Sequence, residues 1–239
     1  TGFAAVAIGG LGLTGLAIPA YPTTYAASSS SYSAERLIKA EKLFANLCTQ
    51  CHGRTGHGDG PAMVIQDLRA ADLTLHSGDH TAGDMYWWIT HGRDGTVMEG
   101  VEAVTSAAER WDLVNYVRLL ANSARSFEVG HDISPLQPFL PSIDFPLPPG
   151  PTGLTSLRDA EGVRPVLLVL GREEGSLARL DELRRRKTGL ADSGLAVVFV
   201  AGPEIRDRLV QSGGEDGAIV ITSGADAIIR AWSYYRRAY

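Results

Sequence analysis

Cysteine is nearly absent: the 239 residues contain two, Cys48 and Cys51. One pair rules out the disulfide framework that staples small secreted domains. It also leaves a structural zinc site without the second pair of ligands it normally needs. Charge is missing from the start of the chain, where nothing charged precedes Glu35. There is no basic excess either, since 22 Lys and Arg face 27 Asp and Glu, so the electrostatic footprint of a nucleic-acid binder is lacking. With 44% hydrophobic and 21% charged residues, the chain is not too polar to bury a core. Methionine is scarce, at three residues, which leaves few thioethers to serve as metal ligands.

The two cysteines stand in the run Cys48-Thr49-Gln50-Cys51-His52. Cys-x-x-Cys-His is the attachment signature of c-type haem: two thiols form thioethers to one porphyrin and the next residue lies beneath the iron. A thioredoxin-type dithiol is the rival reading. It would sit on a strand-to-helix turn and has no use for the histidine. Here the motif follows an amphipathic helix instead, with Leu37, Ala40, Phe44 and Leu47 at helical spacing. Ser33 is placed to cap that helix, and Glu35 lies in its first turn, where the helix dipole favours an anion. After the motif, Gly53, Gly56, Gly58 and Gly60 loosen the chain into a loop that ends at Pro61.

A second, opposite ligand for the iron must come from elsewhere. Thr81 and Asp84 form a capping-box pattern for a short helix through Ile89, with Met85, Trp88 and Ile89 on its buried face. The run Gly92 to Met98 that follows is a glycine-rich loop able to bring a thioether to the metal, and Met/His ligation raises the reduction potential. Met98 is the expected ligand. Met85 reads as core and Met63 as lying on the wrong face, while His57, His76, His80, His91 and His131 are alternatives in principle. A second capping box, Ser106 to Glu109, opens a helix carrying Trp111, Val114, Val117, Leu120 and Ala121 on one face, which reads as packing against the first helix.

The ends of the chain read differently. Residues 1–27 are expected to be a transmembrane helix and its exit, because the uncharged run is long enough to span a bilayer. A cleaved signal peptide is the competing reading, disfavoured by the lack of a basic start. Gly2, Gly9, Gly10, Gly12 and Gly15 suit close packing against partner membrane helices or an upstream membrane domain. Seven of the twelve prolines fall between Pro135 and Pro151, so residues 131–151 are expected to be a semi-rigid spacer. The region with the haem-attachment motif is thereby bounded at 28–130 and a last domain at 152–239. In that domain the expected strands are Arg164–Leu170, Leu195–Ala201 and Gly217–Thr222, with helices at Ser176–Lys187 and Pro203–Gln211, and an antiparallel edge strand at Ala227–Tyr235.

Residues 34–125 resemble a mono-haem class I cytochrome c, through CTQCHG, WWITHGRDGTVM and ERWDLVNYVRLL. The runs GHGDGPA, DHTAGDMYWWITHG and AIPAYPTTY further resemble periplasmic cytochrome segments fused behind copper-resistance-D-type membrane domains. The resemblance implies an all-α domain with one covalent haem c on Cys48 and Cys51, His52 and Met98 as axial ligands, and the Pro61 carbonyl accepting the ring N–H of His52. Trp88 is counted with the residues that bind the cofactor. Where the family has Met-Pro, this chain has Met98-Glu99, which loosens the ligand loop and sets a carboxylate near the haem crevice. The element order after the linker, with TSLRDAEGVRPVLLVL, resembles a thioredoxin-like α/β domain, but the loop Gly171 to Gly175 has no cysteine, so no thiol-disulfide chemistry is expected there. The whole is therefore expected to be a multi-domain electron-transfer protein and not an enzyme. It would be anchored in the cytoplasmic membrane with its soluble domains on the periplasmic side, exchanging electrons with donor and acceptor proteins. A haem module of a copper-handling membrane protein is the alternative, and a five-coordinate, gas-binding haem a third.

Overall fold

The computed structural model describes residues 20–65, 70–129, 140–149, 153–172, 174–186, 194–211 and 219–236. Helix α1 (Ala34–Leu47) starts one residue after Ser33, which takes the extended N-cap conformation without a side-chain cap. The first free N–H, that of Ala34, donates instead to the Asp144 carbonyl at 2.9 Å, so a distant segment satisfies the helix end. The short helices α2 (Thr49–His52), α3 (Pro61–Ile65) and α4 (Leu73–His76) follow, then α5 (Ala82–His91), a 3-10 turn at Glu102–Val104 and the long α6 (Ala107–Val129). The box at the start of α6 closes: the Ser106 N–H donates to the Glu109 carboxylate at 2.7 Å and the Glu109 N–H to Ser106 Oγ at 3.3 Å. The apolar stripes of α1 and α6 meet, with the Phe44 ring 5.2 Å from that of Tyr116.

At α5 the Thr81 hydroxyl accepts the Asp84 N–H at 3.1 Å. The Asp84 carboxylate does not complete the box. It accepts from Thr24 Oγ1 at 2.5 Å, while Thr23 Oγ1 donates to the Gly83 carbonyl at 2.7 Å and Tyr21 stacks on Trp87 at 5.5 Å. The chain before α1 is thus strapped across α5. Among the described residues no helix is long and apolar enough to cross a membrane; the span expected at the start falls on residues 1–19, outside the described residues.

The proline-rich stretch departs from the expected spacer. Where it is described, Ile143, Phe145 and Leu147 are buried, and the segment bridges Ser33 through Asp144 and Ser156 through Pro146. Their period-two spacing gives an extended strand one apolar face. Proline suits extended backbone and withholds only a donor; the donors that remain are used, Asp144 N–H to Tyr32 O at 3.0 Å and Leu147 N–H to Thr155 O at 2.8 Å. Phe145→Ala is therefore expected to cost ~3–5 kcal/mol, read as a fall in the urea midpoint; an unchanged midpoint would show that the segment is a free tether.

The last unit alternates β1 (Val166–Gly171), α7 (Glu174–Arg185), β2 (Ala196–Ala201), α8 (Pro203–Gln211), β3 (Ile219–Ile221) and α9 (Ala225–Arg236). Its sheet is parallel, in the order β1-β2-β3. The strands and the first two helices lie where the sequence pattern puts them; the ending does not. Ala227–Tyr235, expected as an antiparallel edge strand, belongs to helix α9. Ala225, Ile228, Ile229, Trp232 and Tyr235 recur every three or four residues as well as alternating in part, and a helix buries that set on one side. Among the described residues the terminal hairpin on which the thioredoxin-like order rested is consequently missing.

Helix α9 packs on α1 and α6. Arg230 forms a two-pronged ion pair with Glu41, at 2.7 and 2.8 Å. The Tyr116 hydroxyl donates to that of Tyr234 at 2.7 Å, which in turn donates to Glu41 at 2.9 Å. The Trp232 indole N–H donates to the Ile143 carbonyl at 3.2 Å. One apolar core runs from Leu37 through Phe145 to Tyr234.

Candidate functional site

The motif closes α1. Cys48 is the C-cap of that helix and the N-cap of α2, which ends on His52. The loop after it folds straight back: the Gly58 N–H donates to the His52 carbonyl and the Gly60 N–H to that of Cys51, each at 3.0 Å. Gly60 is required there, since a Cβ would sit 2.3 Å from the Gln50 carbonyl oxygen. Opposite, the loop carrying Met98 is pinned at its neck by a bridge between Gly92 and Glu99 and by the Arg93 N–H donating to the Met98 carbonyl at 3.1 Å. Gly92 has φ +84°, and any side chain on it would strike that same carbonyl.

These two loops face one cavity of about 380 Å³, lined by Cys48 and His52 from the motif, Met98 from the opposite loop, and Phe44, Met85, Trp88, Leu113 and Val117 among the helices. His52 Nδ1 lies 3.0 Å from the Ala71 carbonyl oxygen. With Nδ1–H donating there, Nε2 is left as the free lone pair. Burial pushes the imidazole's pKa below its usual value, against the opposing pull of that carbonyl, so the ring is held neutral as a metal ligand requires. Burial, with Cys51 beside it, pushes the Cys48 thiol up to about 12. A thiol so reluctant to ionise is unsuited to a redox dithiol.

Pro61 does not have the role expected of it. It is the first residue of α3, where its fixed φ fits and its missing N–H costs nothing. A carbonyl in a first helical turn points along the axis to its own i+4 partner, so the acceptor for His52 comes from further on, at Ala71. No pattern could have disclosed it, because a backbone carbonyl has no side-chain signature. Among the methionines, Met63 is buried away from the cavity, whereas Met85, read as core only, is buried and lines it together with Met98. His80 lines it as well; His57 pairs with Asp72 at 3.2 Å and His91 with Glu102 at 3.7 Å, both away from it. His131 lies outside the described residues, as does the side chain of His76.

Trp88 is on the wall, and its buried indole N–H has no hydrogen-bond partner among the described residues. The Arg93 guanidinium lies 5.2 Å from the centre of its ring and also lines the cavity. An apolar chamber with a thiol and an imidazole on one wall, thioethers within, and an unmet donor beside a cation fits a flat apolar macrocycle with a central metal and acidic substituents. Residues 37–121, which span both loops, match the family model for cytochrome c. This segment is a cytochrome c domain. It carries covalently bound haem c, and its chemistry is haem-based electron transfer. No curated protein matches the chain. The strap at Tyr21–Thr24, which precedes the matched segment, bears on the helix that carries Trp88, so removing it reaches the cofactor wall. Thr24→Val is expected to lower the thermal midpoint and to perturb the haem absorption of the holoprotein, whereas a change in midpoint alone would confine the strap to a packing role.

Proposed function

We propose that this chain carries single electrons through one haem held by Cys48 and Cys51, with His52 and Met98 as the axial ligands. The observation that supports it is the single cavity onto which Cys48, His52 and Met98 all open, with the Ala71 carbonyl selecting the His52 tautomer. Bound haem supplies an iron that alternates between its ferrous and ferric states. The side chains do the rest. His52 and Met98 would both hold the iron, and an iron met by two protein ligands would favour a carrier over an enzyme. Phe44, Leu113 and Val117 exclude water, and Trp88 with Arg93 offers an N–H and a positive charge to the acidic edge of the cofactor.

Anchorage through residues 1–19 to the cytoplasmic membrane, with the haem on its extracytoplasmic side and membrane-embedded partners handing electrons on, is part of the same proposal. It rests on the uncharged start of the chain. A reduced-minus-oxidised spectrum of the membrane fraction should show sharp c-type bands that vanish from the soluble fraction; bands found only in the soluble fraction would remove the anchor, and no such bands in either would remove the electron carrier.

A further inference from the structure

Helix α6 carries a second polar feature that the haem site does not use. Asn115, Arg118, Asn122 and Arg125 are spaced three, four and three residues apart, which puts them on one face, with the two arginines about 10 Å apart along the axis. All four open onto a pocket of about 390 Å³ at the junction of α6 with Tyr32, Ser77–Gly78 and Pro141. Among the described residues no carboxylate pairs with either guanidinium. Of the acids on the helix, Asp112 is taken by Arg36 at 3.3 Å and by the Ser30 hydroxyl, and the side chain of Glu128, three residues after Arg125, lies outside the described residues. Gly78 makes room for the arrangement: a Cβ there would meet the Arg125 guanidinium at 2.8 Å.

Beneath the arginines the tyrosine hydroxyls bond one another and the backbone. The Tyr235 hydroxyl donates to the Pro141 carbonyl at 3.0 Å and accepts from that of Tyr32 at 2.9 Å. Two guanidiniums that no described carboxylate pairs, sharing a pocket with side-chain amides, present N–H donors and a positive potential. The complement is a ligand rich in acceptor oxygens and negative charge, and guanidinium forks match phosphoryl oxygens in pairs. We infer that this pocket binds a phosphate-bearing ligand at the junction between the cytochrome c domain and the C-terminal unit. Ser77 lines both this pocket and the haem cavity, so the bound anion lies one residue from the cofactor's wall.

Titration calorimetry of the haem-loaded protein with inorganic pyrophosphate, at matched ionic strength, tests the site. Saturable one-to-one binding is expected, weakened at least about tenfold in Arg118→Gln/Arg125→Gln. Both side chains reach solvent, so the variant should fold. Gly78→Val, which displaces Arg125 without removing its charge, should weaken binding as well. A parallel arm compares vesicles of phosphatidylcholine alone with vesicles containing phosphatidylglycerol. Sedimentation with the anionic vesicles that is lost in the double variant identifies the phosphate as a lipid headgroup; pyrophosphate binding without it identifies a free phosphate. Equal binding by wild type and double variant, or no binding of either probe, overturns the inference.

Discussion

Serine at both Cys48 and Cys51 leaves a polypeptide that loses its haem on denaturation. The wild-type chain should run as a haem-staining band on a denaturing gel, with an intact mass greater by one haem. The double variant should do neither, its covalent haem falling from one per chain to none. Each single variant keeps one thioether and stays stained. The effect is all or none because the cysteines are the only two in the chain: no other thiol can substitute. The loss should extend to stability, since a cavity of about 380 Å³ behind Phe44, Leu113 and Val117 has no other group to fill it, and unfilled core volume is costly. A double variant that retained covalent haem would overturn the site.

Met98→Ala should open the metal face opposite His52. The ferrous protein would then bind carbon monoxide without denaturant, and the reduction potential would fall by on the order of 0.1 V or more, within the ~0.8 V that axial ligation spans. Met85 shares the cavity and is the more buried of the two, so Met85→Ala is the necessary comparison. It should leave the haem spectrum six-coordinate while costing ~2–5 kcal/mol of stability. The loops explain the asymmetry expected: Met98 stands on a loop whose pinned neck turns it toward the cavity, whereas Met85 is held on α5, in the same core as Trp111 and Leu113. If the two variants exchange phenotypes, the ligand is Met85.

The C-terminal unit enters the same energetic account. Its last helix is docked on α1 and α6 by the Arg230–Glu41 pair and the Tyr116–Tyr234–Glu41 relay. α1 leads directly into Cys48, and Tyr116 touches Phe44, which lines the haem cavity. A unit without cysteines is thereby placed to brace the haem-bearing helix pair.

Much of this protein is written locally. Cys48-x-x-Cys51-His52 names the cofactor because covalent attachment needs those residue types at that spacing and no others. The Ser106–Glu109 box, the Leu37–Ala40–Phe44 stripe and the apolar runs at β1 and β2 specify their elements because capping and periodicity act over a few residues. What only the tertiary structure decided were the matters that depend on who lies opposite. The Ala71 carbonyl took the place expected for Pro61, since any of several backbone oxygens could meet the imidazole and only chain path chooses between them. Ile143, Phe145 and Leu147 became core because α1 and α9 leave a groove that an extended segment fills. Residues 225–236 became a helix because α1, α6 and β2 offered apolar faces that a helix can bury one side against; local pattern allowed either outcome, and burial chose.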